Sequence, residues 1–106
     1  EYQQAQALLA QIEFAQKCHL AGGKAACAQK VLAAPRDLEA QYQLACCHAA
    51  EGQFEEALQT WLGIVERKPD FQDGAAKNSM IAVFHLLGRD NELVTSYQRR
   101  LYQAMY

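Results

Sequence analysis

No apolar run in this sequence approaches the ~20 residues needed for a membrane-spanning helix, so a helical bilayer span is excluded. No stretch of Lys and Arg is long enough to track a phosphate backbone. The densest basic cluster is Arg99-Arg100 and the net charge is -2, which argues against nucleic acid as a partner. There is no glycine loop to cradle a phosphate, because Gly22-Gly23 is placed to break a helix. β-branched residues are few and do not alternate, so strand signals are nearly absent. None of the four cysteines, at 18, 27, 46 and 47, forms a C-x-x-C pair. The vicinal Cys46-Cys47 is a poor candidate for a disulfide with itself, and the chain is rich in Ala, Gln and Leu, unlike loop-rich secreted disulfide frameworks. The thiols are therefore read as mostly reduced and the compartment as cytoplasmic. The chain opens on Glu1-Tyr2-Gln3-Gln4, with neither a signal-peptide pattern nor an initiator Met, and is expected to be a fragment of a longer protein.

What is present is helical periodicity punctuated by turn residues. About half of the 106 residues are apolar and a fifth are charged, as expected for one small folded domain. Turn signals at Gly22-Gly23, Pro35-Arg36-Asp37, Gly52, Pro69-Asp70 and Gly88-Arg89-Asp90 separate six helical stretches. The spacing predicts helices over about 2–19, 24–34, 38–50, 54–67, 71–87 and 91–105. Ala5, Leu8, Ile12 and Ala15 are expected on one face of the first, Asp37 is a candidate N-cap of the third, and Val94, Tyr97, Leu101 and Ala104 share a face of the sixth. Short connections suggest three antiparallel pairs.

The strongest pattern is a repeat. Leu38 to Phe71 spans 34 residues, the tetratricopeptide period. Leu44-Ala45 is a large-then-small pair and Gly52 turns the chain. Phe54 follows, Ala57 is the small residue where two helices cross, Trp61 fills the gap beside it and Pro69 ends the unit. A small residue at the contact flanked by bulky ones lets two helices approach and stack on the next pair. His48 occupies a position where Tyr is usual. Pro35 lies 34 residues before Pro69, Gly23 stands where a small crossing residue belongs, and the displaced Gly88 marks a variant cap. The expected fold is all-α, with three tetratricopeptide-like hairpins, about six helices, in a short right-handed solenoid spanning 1–106.

Several stretches carry a closer likeness. Phe71-Gln72-Asp73-Gly74-Ala75-Ala76-Lys77, Phe84-His85-Leu86-Leu87-Gly88, Tyr97-Gln98-Arg99-Arg100-Leu101-Tyr102, Cys47-His48-Ala49-Ala50-Glu51-Gly52 and Glu55-Glu56-Ala57-Leu58 resemble the C-terminal region of the YbbN/CnoX family of thioredoxin-fold co-chaperones, most specifically over residues 38–106. The resemblance implies an N-terminal thioredoxin-like domain in the parent protein. It also implies holding of unfolded clients, delivery to a GroEL-type chaperonin, and a chaperonin contact on the last helix, about Glu92 to Tyr106.

Catalysis and metal binding have little support. Cys18-His19 and Cys46-Cys47-His48 are expected to converge if first helices stack side by side, but the spacing matches no zinc motif and buried Cys commonly packs as a small hydrophobe. A redox-sensing thiol is the alternative. Nothing around the four cysteines suggests the electropositive setting that reactivity requires. His85 has no carboxylate or nucleophile at partner spacing, and Glu55-Glu56 supports a helix N-terminus. No cofactor, metal or catalytic residue is expected.

The expected site is a binding surface. Tyr102 and Tyr106 are four apart and share a helix face, with Met105 beside them, as an anchor for a partner groove. Tyr97, Arg99 and Arg100 complete the chaperonin-contact set, and removal of residues 98–106 is expected to abolish the contact and leave the rest folded. A second surface is expected on the first helices of the repeats, at Tyr42 and Cys46. That helix offers no Lys, which disfavours a clamp for acidic tails. The other reading is a generic scaffold without chaperone activity.

Overall fold

The computed structural model describes residues 2–105, apart from the side chains of residues 2, 3, 4, 6 and 7. Six α-helices follow one another: α1 (Tyr2–Leu20), α2 (Lys24–Ala33), α3 (Leu38–Ala50), α4 (Phe54–Arg67), α5 (Ala75–Leu87) and α6 (Glu92–Met105), with a 3₁₀ turn at Phe71–Asp73 before α5. The starts of α3 and α6 are set by local chemistry. The Asp37 carboxylate accepts from the amides of Glu39 at 3.0 Å and Ala40 at 3.3 Å, and Asn91 Oδ1 accepts from the Leu93 amide at 2.8 Å. Each bond pairs an amide that a helix start leaves without an intrahelical partner.

α3 is the centre of the fold. It buries Ala40, Tyr42, Ala45, Cys46, Cys47 and Ala49, which point in nearly every direction around the helix. A helix apolar on all sides needs cover on all sides, and α1, α2 and α4 all pack against it. α4 is instead amphipathic. Ala57, Leu58, Trp61, Leu62, Ile64 and Val65 form its buried stripe, and through it α4 reaches α3, α5 and α6. Ala57 and Trp61 are both fully buried, the small and the large member of the crossing read from the repeat. Rings link the layers: Phe14 to Trp61 at 5.3 Å, Tyr42 to Trp61 at 6.4 Å, and Tyr42 to Phe71 at 5.8 Å between centroids.

Four features of the structure differ from the sequence reading. The stripe of Ala5, Leu8, Ile12 and Ala15 on α1 is exposed. α1 instead buries Phe14, because its neighbours are α3 and α5 and it meets α2 only sparsely, so that only the side carrying Phe14 is covered. The fifth helix starts at Ala75 and not at residue 71. Gln72 (φ 44°), Asp73 (φ 59°) and Gly74 (φ 84°) are consecutive left-handed residues, through which a right-handed helix cannot run. Gly23 is not a crossing residue. It stands before α2 at φ 91° with nothing within 4 Å of where a Cβ would lie.

The fourth difference concerns the thiols. Cys18 and Cys47 form a disulfide, so the reading of mostly reduced cysteines fails for this pair. α1 and α3 lie side by side, as expected for first helices of adjacent units, and that stacking brings the two sulfurs together across a sequence separation of 29. Closing a loop of that length stabilises the fold by about 3–4 kcal/mol in the chain-entropy account. Cys27 and Cys46 are free and buried.

Candidate functional site

The hairpins are not equally closed. α3 and α4 pack along their length, whereas α5 and α6 touch far less. The gap left between them opens into a cleft of about 1180 Å³, walled by α5, α6 and the first half of α1. Its apolar surface comes from Leu9 on α1, Ile81 on α5, and Tyr102 and Met105 on α6, all of them exposed. Leu8 and Ile12, also exposed, continue the apolar surface of α1. Lys77, His85 and Arg89 lie along the cleft with Glu13 as the carboxylate among its lining residues, so a cationic edge accompanies the apolar floor.

α6 divides its residues cleanly between this cleft and the core. Val94, Tyr97 and Leu101 are buried, at the i, i+3, i+7 spacing of one face. Tyr97, expected as a partner contact, is therefore withdrawn from solvent, at 2 % exposure. Arg100 lies over its ring, with Cζ 4.7 Å from the centroid, a cation–π contact at the edge of the core. Arg99 and Arg100 are exposed and border a separate shallow depression with Asp90 and Glu92, where charges of both signs meet. Tyr102, 67 % exposed, and Met105 stand on the cleft side. Tyr106 lies outside the described residues. Leu101 is in the core, so deleting residues 98–106 would strip a core contact as well as the anchor, contrary to the expectation that the rest would be untouched.

The expected second surface does not exist as a surface. Tyr42 and Cys46 are buried, at 6 % and 0 % exposure, within the main core cluster. α1 lies across the side of α3 that was expected to face a groove. Tyr42 serves an internal role: its hydroxyl accepts from Lys17 Nζ at 3.0 Å and lies 3.2 Å from Ser79 Oγ. Burial works to lower the Lys17 pKa, but the hydrogen bond and charge interaction with Tyr42, helped by Cys46 and Glu13, carry it above its ordinary value. Burial likewise pushes the Cys46 thiol up from 9.0 to about 11, against the opposing effects of Lys17 and Tyr42. A thiol held so firmly protonated is a poor nucleophile at neutral pH. Among the described residues, no group of three or more His, Cys, Asp or Glu side chains could hold a metal ion.

Leu9, Ile81 and Lys77 were missed as site residues. Leu9 sits between the stripe Leu8–Ile12 and the buried Phe14, and Ile81 adjoins the buried Met80; composition could not say which neighbour would be left uncovered. No helix is long and apolar enough to cross a membrane among the described residues. Comparison with curated proteins and with solved structures returns no match. The family model of the tetratricopeptide repeat matches residues 20–106, that is, α2 to α6 with the end of α1. With six helices stacked as described and that match over most of its length, the chain belongs to the tetratricopeptide repeat family.

Proposed function

We propose that this domain is the non-catalytic docking module of a cytoplasmic co-chaperone. In its parent protein it is joined to a thioredoxin-like domain, seats on a GroEL-type chaperonin, and helps hold unfolded or stress-damaged clients before transfer. The observation that carries the proposal is the solvent-exposed apolar surface at Leu9, Ile81, Tyr102 and Met105 along one cleft. Repeat domains of this kind act by binding other proteins on extended surfaces. An aromatic residue and a flexible Met side by side suit an anchor for a partner groove or an apolar client segment. The likeness of residues 38–106 to the YbbN/CnoX co-chaperones supports a GroEL-type chaperonin as the partner. A generic scaffold is the competing reading, favoured by the mixed charges around Arg99 and Arg100, which need no chaperonin.

The test is co-migration with a GroEL-type chaperonin on a sizing column, comparing the wild type with the double variant Tyr102→Ser, Met105→Ser. Both residues are exposed, so the fold survives the change where a deletion of 98–106 would not leave it intact. Loss of apolar contact at two anchors lowers affinity by at least about tenfold, and the expected result is loss of co-migration. Equal co-migration of both proteins would move the contact off α6. Failure of the full parent protein to co-migrate at all would favour the scaffold.

A further inference from the structure

Three of the four sulfurs meet at one point in the core. Cys47 on α3 is joined to Cys18 on α1. From the other side, Cys27 on α2 places its thiol 3.7 Å from Cys47 Sγ. Cys27 and Cys47 are buried, at 0 % and 1 % exposure, whereas Cys18 is half-buried, towards solvent. A free thiol in contact with a disulfide sulfur is the ground-state arrangement for thiol–disulfide exchange, which proceeds by attack of a thiolate on one sulfur and departure of the other. Forming a bond would bring Cys27 Sγ only ~1.7 Å closer to reach the ordinary disulfide length of about 2.05 Å.

We infer that Cys18, Cys27 and Cys47 form an internal thiol–disulfide exchange centre, in which the cross-link passes from Cys18–Cys47 to Cys27–Cys47 and Cys18 is released as a solvent-side thiol open to modification by electrophiles and thiol-reactive oxidants. Cys27 loses its proton and the thiolate attacks Cys47 Sγ. The Cys27–Cys47 bond forms as the Cys18–Cys47 bond breaks, and the electron pair leaves on Cys18 Sγ, which takes up the proton. One disulfide and one thiol stand on each side, so the step needs no oxidant or reductant. The sulfur contact is made by Cys27, while the Cys46 thiol hydrogen-bonds with Tyr42 and feels both Lys17 and Cys27, so Cys27 is the attacking group. The exchange moves the covalent tie from α1–α3 to α2–α3. α1, which meets α2 only sparsely and supplies Leu9 and Glu13 to the docking cleft, then keeps its place by non-covalent packing alone. Disulfides in reducing compartments are usually transient or redox-sensing, and a centre that can hand its bond inward fits that use.

The experiment is alkylation of the oxidised protein with iodoacetamide at pH 8, without reductant or denaturant, followed by acid quench and disulfide mapping by mass spectrometry. Cys18 carries no free thiol until exchange occurs, so the expected result is a growing species with alkylated Cys18 and a Cys27–Cys47 link. Its rate should rise with pH, because only the thiolate attacks. In Cys27→Ser the labelling of Cys18 should fall at least tenfold, and in Cys46→Ser it should not change. Absence of Cys18 labelling in the wild type, or labelling that persists in Cys27→Ser, would overturn the proposal. Should Cys27→Ser fail to fold, Cys18→Ser gives an independent reading. Treated with oxidised glutathione, it should form the Cys27–Cys47 link, and two thiols that remain unlinked would overturn the proposal equally.

Discussion

Lys17 meets Tyr42 at the hydroxyl end of its ring: Nζ lies 3.0 Å from the phenolic oxygen and 5.5 Å from the ring centroid. An ammonium can only donate, so the Tyr42 oxygen accepts from α1, and the same hydroxyl shares a hydrogen bond with Ser79 Oγ on α5, 3.2 Å away. One buried hydroxyl thus joins side chains of α1, α3 and α5.

Tyr42→Phe removes the hydroxyl and leaves both polar partners behind. Ser79, 5 % exposed, loses its Tyr42 bond inside the core, and such a loss costs about 1–3 kcal/mol. Ser79→Ala removes only one end and leaves Tyr42 its bond to Lys17, so it should cost less, within about 1 kcal/mol. The double variant should be no less stable than Tyr42→Phe alone, since the group stranded by the first change is gone. Urea unfolding of the four proteins measures the coupling, and strictly additive effects would rule out the shared hydrogen bond as the source.

Two glycines should respond to alanine in opposite directions. Gly74, at φ 84°, ends a left-handed run before α5, and a Cβ there would meet Lys77 Cε at 3.8 Å and Asn78 Nδ2 at 3.9 Å, ordinary contact distances. The cost of Gly74→Ala is therefore conformational, about 1–2 kcal/mol. Gly63 lies inside α4, with nothing within 4 Å of a Cβ. Gly63→Ala should stabilise by about 0.5–1 kcal/mol through reduced freedom of the unfolded chain. For a domain near this size that difference separates the melting temperatures of the two variants by about 6–20 °C, readable by thermal circular dichroism. The same sign for both would mean that the turn at residues 72–74 relaxes on substitution.

How far the sequence reaches can be judged at these same places. The bounds of α3 and α4 were legible because Asp37 and Gly52 act locally. The crossing of Ala57 and Trp61 was legible because the repeat encodes it. The start of α5 was not, because Gln72 gives no residue-type signal for a positive φ, although the Asp73-Gly74 dipeptide after it is a turn signal. The burial of Tyr42 and Cys46 was missed because it depends on where α1 lies, whereas that of Tyr97 follows from the face it shares with Val94 and Leu101 on α6. The pairing of Cys18 with Cys47 is set by helix stacking, and connectivity among four cysteines cannot be deduced from their spacing. At the candidate site, Tyr102 and Met105 could be read from helix phase, whereas their companions Leu9 and Ile81 come from other helices and needed the fold.

Alkaline pH should unfold this domain through groups that the native state keeps protonated. Burial holds the Cys46 thiol at about 11, above its ordinary 9.0, and Lys17 is also raised above 10.5. Between the unfolded and folded values the unfolded chain binds fewer protons than the native one, so stability falls as pH rises. The contribution is constant at neutral pH, begins to fade near pH 9 and is lost by about pH 11, where the Cys46 shift alone amounts to about 2–3 kcal/mol. Cys46→Ala removes the titrating thiol and should flatten the profile between pH 9 and about 10.5, at the expense of a small cavity that lowers stability equally at every pH. Lys17→Met should leave that part of the profile steep and alter it only above pH 10.5. The measurement is the urea midpoint at half-unit steps from pH 7 to 11, with the disulfide pairing mapped at each pH so that exchange is accounted for. A Cys46→Ala profile that keeps the wild-type slope would place the alkaline transition elsewhere in the core.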